Sequence, residues 1–533
     1  MKNFLKKNQI YFFIVILFSL SSFYLGYVYS YFNTDIHHYS HNLEPFLDFK
    51  NGFELNKDIF VLYGNGQIHL FNLINNIFDI NIVSIGLVAQ FFFSIKFLLF
   101  FFILRYFINN LFSTLGTFFY YILYTFTQTA SADIFASFFL HLFLITYLYN
   151  SKSKNIYLIL ISSVILFTVI FFRSTYLINF FIFLPFLIFL NIFFRKNLKY
   201  ENKIFFYFFL ILFAYLFTLL KIDNIYQWFN QSIGVGFTNF LNLVPYTNDE
   251  ILNKIGKLFF YILRIFRHII YPNSFGSSFT FSIIILSNIL FLIIFIYQYF
   301  FKKNNFFFEK YKLLIIISLI GICGSIQLIN KFETARYINA SFGFIVIFFY
   351  FVNHFFYTKF NLKKKIALIS VVFLVFAPAF LKFPIYSNIF ISQLDYYNGN
   401  TKFNFNNNYF KTYKHTYFGS KKFNNEHIEF YEQIQKTICT YDYIYNKSFD
   451  RSFHYLCKNK KKYIPSLYYK KFTNKINIDA LKNFNYDNSV LISDYIIPEL
   501  LLIKKIKVPK YTRYTKSDKF YIYFTDTIYI YEI

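Results

Sequence analysis

Several familiar motifs are absent from this 533-residue sequence, and each absence narrows its function. There is no Walker-type Gly-Lys-Ser/Thr loop, which argues against ATP-driven transport, and no glycine fingerprint for a dinucleotide. Only three cysteines occur, and neither they nor the ten histidines show the spacing of a zinc site. Acidic residues are also scarce, at 26 against 53 basic residues. The chain therefore has a large excess of positive charge without a nucleotide-binding or zinc-binding motif.

Apolar residues, in contrast, are abundant. They make up 56% of the chain, aromatic residues make up 26%, and the mean hydropathy is positive, which excludes an ordinary soluble protein. Runs of about 17–25 apolar residues are long enough to cross a hydrocarbon core of roughly 30 Å as helices. We predict a polytopic α-helical membrane domain over residues 1–382. Its transmembrane helices, about eleven, are predicted at 10–31, 81–106, 111–127, 132–150, 155–172, 174–195, 204–220, 277–301, 311–328, 340–357 and 365–382.

Basic residues in the short loops predict the orientation of these helices. Three lysines precede the first span, which places the N-terminus in the cytoplasm. With strict alternation from there, each well-separated cytoplasmic loop is basic, as the positive-inside rule requires. The loops 32–80 and 222–276 and the tail 383–533 are then extracytoplasmic. Much of the formal charge of +27 flanks the membrane or lies in this tail, so it does not indicate nucleic-acid binding.

The tail 383–533 differs from the rest of the chain because its long apolar runs stop. Residues 426–437 have the periodicity of an amphipathic helix. Short alternating segments predict strands at 490–493, 520–524 and 527–531. We predict a small extracytoplasmic C-terminal domain of the α/β or α+β class.

Two of the three cysteines, Cys439 and Cys457, lie in this tail. An extracytoplasmic compartment is oxidising and would allow them to form a disulfide. Two unpaired thiols are the alternative, because a single pair of cysteines has no spacing pattern to test. Cys323 lies within a predicted span, where it is expected to serve only for packing.

An acidic and histidine-rich segment follows the first span directly. It begins at Thr34 with the sequence Thr-Asp-Ile-His-His-Tyr-Ser-His-Asn-Leu-Glu-Pro-Phe, and so puts polar side chains at a membrane edge. On a helix, His37, His41 and Glu44 would stack on one face, and such a set can bind a divalent metal. The alternative is that the histidines lie at the level of the lipid headgroups.

Asp35 lies close to the outer end of the first span. The carbonyl-rich end of that helix repels an anion, whereas an Asp at this position can cap the next helix. Thr34 can serve as that cap equally well, which would leave the carboxylate of Asp35 for catalysis. His38 would share a helical face with Asp35. Both roles of Asp35, cap and catalytic group, are compatible with the residues alone.

The next part of this loop completes a recognisable order of features. A proline interrupts an amphipathic stretch, Gly52 follows as a helix stop, and a Lys57-Asp-Ile-Phe segment leads to Tyr63-Gly. With the many spans and the outer tail, this order resembles the bacterial membrane glycosyltransferases of the GT-C superfamily, especially family 39 and the protein mannosyltransferases. The specific part of the resemblance covers residues 30–75. Ile36 stands where the commonest Asp-Glu pair has its second acid.

The resemblance implies a function. Members of the superfamily take a sugar from a polyprenyl-phosphate carrier at the outer face of the membrane and use an acidic residue in the first outer loop, which Asp35 matches. It implies an inverting enzyme in a bacterial inner membrane, with a glycan, lipid or protein acceptor and no certain cofactor. The use of a divalent metal stays open. Supporting contacts to the sugar or the acceptor are assigned to His37, His38, Tyr63 and Asp133.

Other charged residues near the predicted outer face are further candidates. Asp133 opens the fourth span and matches, by order, a second acid of the superfamily, with an N-cap or first-turn acid of the helix as its alternative role. Arg173 and Arg336 lie in short outer loops against the charge bias, so each is a candidate contact for the lipid phosphate. Contact with lipid headgroups is the alternative for both. Lys96 lies deep in the second span, where it either faces a polar cavity or snorkels.

Two other functions compete with this one. An O-antigen polymerase or ligase is also polytopic, but it would use Arg-rich outer loops and would not need the acidic first loop. A lipid or sugar flippase or transporter would need polar groups and broken helices near the midplane, whereas Gly and Pro interruptions are few here. We therefore expect an enzyme, and among enzymes a glycosyltransferase.

Overall fold

The computed structural model describes most of the helical part of the chain and portions of its tail. The described residues are 2–32, 45–50, 52–56, 59, 61, 64–78, 80, 82–123, 132–150, 155–194, 199–218, 222–229, 277–302, 305–325, 334–358, 361–380, 417–418, 421–422, 425–446, 448, 453, 457, 462–463, 488–508 and 527–533. Asp35, His37, His38 and Tyr63 lie outside them, and so does the predicted strand at 520–524.

Helices dominate the described residues up to 380, and each predicted span falls on one of them. Long apolar runs favour helices in a membrane because a helix satisfies its own backbone hydrogen bonds. The helices are α1 (Lys2–Phe32), α2 (Gly66–Asn75), α3 (Ile82–Phe107), α4 (Asn110–Leu123), α5 (Ala132–Asn150), α6 (Ile156–Phe172), α7 (Tyr176–Phe194), α8 (Lys199–Thr218), α9 (Ile222–Phe229), α10 (Ser277–Ile296, followed by a π-helical turn at Tyr297–Phe301), α11 (Asn305–Ser325), α12 (Thr334–Thr358) and α13 (Leu362–Phe380).

The length and composition of the helices identify a membrane protein. Four of the described helices contain segments long and apolar enough to cross a membrane, at Gln9–Gly26, Ser84–Phe107, Asp133–Asn150 and Tyr200–Phe217. Shorter apolar helices cover Ile156–Phe172, Asn179–Ile188, Ile283–Ile296, Tyr311–Gly324 and Phe342–Tyr357. The count of about eleven membrane crossings, and their orientation, stay predictions.

The chain divides into two compact units. One comprises residues 1–23, 91–128 and 132–384, and the other comprises 24–90, 129–131 and 385–533. In the first unit, which we call the helical unit, α5 packs against α6, α6 against α8, and α11 against α12. The contact between α11 and α12 is close because Gly343 has no side chain. A Cβ added there would lie 2.5 Å from the carbonyl oxygen of Ile317, so a larger residue would push the helices apart.

Parts of the first loop belong to the second unit. Residues 45–50 are helical, and Gly52, with φ +95°, ends that turn while its N–H donates to the carbonyl of Phe49. Gly64 has a φ of +142°, a conformation that favours glycine, and α2 begins two residues later at Gly66. On α2, partial desolvation lowers the pKa of His69, although its side chain is exposed in part, and its ring packs edge-to-face with that of Phe49, with 5.4 Å between the ring centres.

In its described residues the tail has a mixed sheet and one helix, α14 (Asn425–Ile438), and this combination agrees with the predicted α/β or α+β class. β1 (Tyr417–Phe418) and β2 (Lys421–Lys422) form a separate antiparallel pair. The main sheet has the order β4-β3-β5-β7-β6, parallel from β4 to β5 and antiparallel from β5 to β6. Its strands are β3 (Tyr443–Asn446), β4 (Lys462–Tyr463), β5 (Ser489–Ser493), β6 (Leu501–Lys507) and β7 (Thr527–Glu532).

The predicted helix at 426–437 and the predicted strands at 490–493 and 527–531 are confirmed as parts of α14, β5 and β7. Of the two alternatives for the cysteines of the tail, the structure shows the disulfide. Cys439, just after α14, is bonded to Cys457 across 18 residues of chain. Cys323 is free and buried in α11, as expected for a packing residue.

Candidate functional site

Two candidates from the sequence, Asp133 and Arg173, form a buried ion pair in the helical unit. Nε of Arg173 lies 2.9 Å from Oδ1 of Asp133. Only 10% of the Arg173 side chain and 8% of the Asp133 side chain are exposed. Two charges that are removed from water lose much of their hydration energy, and only a close contact between them gives enough attraction to offset that loss. The pair thereby joins the start of α5 to the junction of α6 and α7.

Local structure explains how both partners reach this position. Asp133 lies in the first turn of α5, where the helix dipole stabilises an acid. α6 ends at Phe172, and Arg173 caps it in an extended conformation, with its N–H donating to the carbonyl of Val169. Nε of Arg173 also donates to Oγ1 of Thr175, at 3.1 Å. The guanidinium is therefore fixed by a short junction as well as by the ion pair.

Lys96, on α3, is a third ionisable residue at this place. It is completely buried, and its Nζ donates to Oγ of Ser137, at 3.3 Å. The same Nζ lies 5.2 Å from the ring centre of Phe93, and the carboxylate of Asp133 acts on it electrostatically. Of the two predicted alternatives, Lys96 faces a polar interior and does not snorkel. We call Asp133, Arg173 and Lys96 the Asp133 cluster.

His141 continues the polar face of α5, which Asp133 and Ser137 begin at the same four-residue spacing. Its Nδ1 lies 2.7 Å from the backbone carbonyl of Ser137, and because a carbonyl only accepts, Nδ1 carries the proton. Nε2 lies 3.4 Å from the hydroxyl of Tyr120, and the ring stacks on Phe342 at 3.9 Å. Sequence analysis missed His141, although an ionisable residue within an apolar span was a usable signal.

A partly open apolar cavity lies between α5, α6, α7, α8 and α11. Its walls are mainly apolar and include Leu140, Phe143, Leu166, Phe183, Ile204 and Ile316. Tyr176 and Asn179, at the start of α7, line it as well. The hydroxyl of Tyr176 and the amide oxygen of Asn179 have no hydrogen-bond partner within the described part of the chain. Tyr176 is also close enough to Asp133 and Arg173 to be affected by their charges.

A second ion pair lies at the opposite end of α5. Oε1 of Glu201 lies 2.6 Å from Nζ of Lys312 and also accepts a hydrogen bond of 2.6 Å from the hydroxyl of Tyr147. The side chain of Glu201 is 4% exposed and that of Lys312 is 22% exposed. We call these three residues the Glu201 cluster. Sequence analysis missed it because Glu201 stands among basic residues that we assigned to a cytoplasmic loop, whereas it lies in the first turn of α8.

The remaining candidates are not brought into the Asp133 cluster by the described structure. Arg336 lies in the first turn of α12, but its side chain is not among those described. Asp35, His37, His38 and Tyr63 lie outside the described residues. Across the described ranges, no group of three or more His, Cys, Asp or Glu side chains is placed to hold a metal ion.

No protein-family model matches this chain, and no curated protein is significantly similar to it in sequence. A proposal for its function therefore depends on its own residues and on their geometry.

Proposed function

We propose that this chain is an integral-membrane glycosyltransferase. It transfers a sugar from a polyprenyl-phosphate carrier to a glycan, lipid or protein acceptor at the outer face of a bacterial inner membrane. Asp35 takes the proton of the acceptor hydroxyl. The acceptor oxygen then bonds to the anomeric carbon with inversion, while the bond from that carbon to the phosphate oxygen breaks. The carrier leaves as its phosphate.

The observation that carries this proposal is that the buried Asp133 cluster brings two basic side chains together. The guanidinium of Arg173 and the amine of Lys96 are both within the electrostatic reach of one carboxylate, that of Asp133. The phosphate of a lipid carrier is an anion that suits such a pair of donors. Arg and Lys donate charge-assisted hydrogen bonds that would stabilise the charge developing on this leaving group.

The apolar cavity supports a donor that is linked to a lipid. Tyr176 lines the cavity and interacts electrostatically with Asp133 and Arg173, so one wall of the cavity is near the Asp133 cluster, and Tyr147 and Glu201 of the Glu201 cluster line it as well. Walls of Leu, Phe and Ile favour a hydrocarbon chain and disfavour a free sugar or nucleotide. An amphipathic donor, with its phosphate at the cluster and its isoprenoid chain in the cavity, would satisfy both environments.

The other candidates are given supporting roles in this proposal. Asp133 orients Arg173 through the ion pair, and Arg336 is a second contact for the phosphate. His37, His38 and Tyr63 contact the sugar or the acceptor.

The substitution Asp35→Asn tests the proposal, because it removes the base with little change in shape. Membrane vesicles with the parent or the variant are supplied with a panel of polyprenyl-phosphate sugars and with a membrane extract as the source of acceptors. The measurement is the release of free polyprenyl phosphate, which is the same product for every sugar. We expect the variant to release it at least about 100-fold more slowly, as is usual for the loss of a general base.

Glu432→Gln is the matched control, since it converts an exposed acid on α14 to an amide. This variant should keep the parent rate, and both variants should insert into the membrane as the parent does. Release at the parent rate by Asp35→Asn would refute the role of Asp35. If the parent releases no carrier phosphate but moves lipid-linked sugars across the bilayer, the chain is a flippase and the proposal is wrong.

A further inference from the structure

The C-terminal sheet exposes its large apolar side chains in one place. Among the described residues after 384, the exposed ones are Ile496 (64% exposed), Leu501 (69%), Leu502 (46%) and Ile503 (37%). Ile496 lies in the turn between β5 and the edge strand β6, and the other three are the first residues of β6. The strands beside them bury their apolar residues completely, as Val490, Ile528 and Ile530 show. A cluster of exposed apolar side chains on an otherwise well-buried sheet indicates a contact surface.

Lysines follow these apolar residues on the same strand. Lys505 and Lys507 are exposed and Lys504 is half-buried. Two acids are close along the chain or across the sheet: Glu499 in the preceding turn, and Glu532, which pairs with Leu501. Apolar side chains followed by lysines are typical of interfacial membrane segments. In these segments the apolar groups enter the boundary of the acyl chains while the ammonium groups stay among the headgroups.

The residues 496–507 are not explained by the need to keep the edge strand from pairing with another chain. Lysines and a β-bulge, here the register shift between Leu502 and Lys504, both discourage pairing of an edge strand with another chain. Exposed Leu501 and Ile496 have the opposite effect, because they increase the apolar surface at that edge. These side chains therefore need a partner of their own.

We propose that the segment 496–507 docks onto the surface of the bilayer that holds the helices of this chain, with anionic phospholipid headgroups as the ligands of its lysines. The chain has helices that are long and apolar enough to cross a membrane, so a bilayer is always close to the tethered tail. Lysine charge complements anionic headgroups, and the four apolar side chains complement the acyl boundary. This inference does not depend on the proposed sugar transfer.

The single tryptophan of the chain allows a direct test. In a Trp228→Phe background, Leu502→Trp introduces one indole, and the full-length protein is placed at one copy per nanodisc. The nanodiscs contain phosphatidylcholine and phosphatidylglycerol, with acyl chains that are either brominated or not. Bromine quenches only an indole that reaches the acyl boundary, so we expect roughly a twofold loss of emission. Glu432→Trp, on an exposed position of α14, is the matched control and should not be quenched.

Two further variants separate the contributions to docking. Ile496→Trp is an independent reporter, and it keeps the test decisive if Leu502→Trp disturbs the sheet. Lys504→Gln, Lys505→Gln and Lys507→Gln together should weaken the quenching, and so should discs of phosphatidylcholine alone. Equal quenching with and without the anionic lipid would refute the role of the lysines.

Unchanged emission of both reporters on bromination would overturn the proposal. Protection of the indoles from acrylamide without quenching by bromine would also overturn it, since protein and not lipid would then cover the segment.

Discussion

The two buried ion pairs of the helical unit differ in their balance of charge. In the Glu201 cluster one acid meets one base, and both Lys312 and Tyr147 contact the same carboxylate oxygen. In the Asp133 cluster one acid faces two bases, at least within the described residues. Both clusters lie among apolar helices, and α5 contributes a residue near each of its ends. The surroundings are therefore similar, and the charge is what differs.

This difference separates a structural contact from a candidate binding site. A balanced pair can hold helices together without a ligand, because each charge compensates the other. The Asp133 cluster instead brings two basic side chains, Arg173 and Lys96, to one carboxylate, and these side chains can donate hydrogen bonds to an anion. Lys312 also has 22% of its side chain exposed, so its ammonium group retains some access to water or headgroups. We therefore assign ligand binding to the Asp133 cluster and helix association to the Glu201 cluster.

Variants of the two clusters are expected to differ most in turnover, which is the rate at which carrier phosphate is released. Arg173→Gln keeps a donor for Asp133 but removes the positive charge, and we expect the release of carrier phosphate to fall about 100-fold, as for the loss of one donor to a developing anion. Lys312→Gln likewise removes one positive charge, here from the Glu201 cluster, and should leave turnover within about twofold of the parent. Both rates are measured over a range of donor concentrations. Equal losses in the two variants would remove the functional distinction between the clusters.

The Asp133 cluster is also expected to have a large effect on the stability of the protein. Asp133→Asn removes the carboxylate that lies 2.9 Å from the buried guanidinium of Arg173, so we expect the free energy of unfolding to fall by about 3 kcal/mol. The double variant Asp133→Asn/Arg173→Gln should recover more than half of this loss, because it also removes the buried charge that the carboxylate stabilised. Unfolding is followed by titration with sodium dodecyl sulfate in mixed micelles. Strictly additive losses would mean that the two residues are not coupled.

Sequence patterns predicted the helices well because the physical signal is strong. Every predicted span coincides with a helix, since a long apolar run in a membrane must satisfy its own backbone hydrogen bonds. The helix and strands of the tail were also predicted, from amphipathic periodicity at 426–437 and from alternation at 490–493 and 527–531. The sheet order could not be predicted, because β7, the last strand in the chain, inserts between β5 and β6.

The candidate site was predicted only in part, for a related reason. Asp133 and Arg173 stood out one by one, since charge near an apolar span is conspicuous, but their pairing depends on how α5 packs against the α6–α7 junction. Local patterns contain no information on such contacts between distant segments. Glu201 was missed because its basic neighbours in sequence concealed it, whereas its partners Tyr147 and Lys312 come from other helices.

A smaller effect is expected when the acid of the balanced pair is neutralised. Glu201→Gln keeps an oxygen that accepts from Tyr147, and the partly exposed Lys312 can turn toward water or headgroups. We therefore expect a loss of about 1 kcal/mol in the free energy of unfolding, and turnover within about twofold of the parent. The same titration and the same release assay measure both. A stability loss as large as that of Asp133→Asn would show that Lys312 is as dependent on its counter-charge as Arg173.

The smallest contrast separates two buried tyrosines that line the same cavity. The hydroxyl of Tyr147 donates to Glu201, at 2.6 Å, whereas that of Tyr176 has no hydrogen-bond partner in the described structure. Tyr147→Phe should reduce the free energy of unfolding by about 0.6 kcal/mol, an ordinary value for a hydrogen bond between membrane helices.

Tyr176→Phe should cost no stability without a ligand, since it removes a polar group that is buried without a partner in the described structure. If a donor lipid fills the cavity and its polar end meets this hydroxyl, Tyr176→Phe should instead raise the KM for the donor by a few-fold, because the neutral hydrogen bond that is lost is worth about 1 kcal/mol. A loss of stability in Tyr176→Phe together with an unchanged KM would mean that this hydroxyl has a protein partner, and the cavity would then lose its polar contact for the donor.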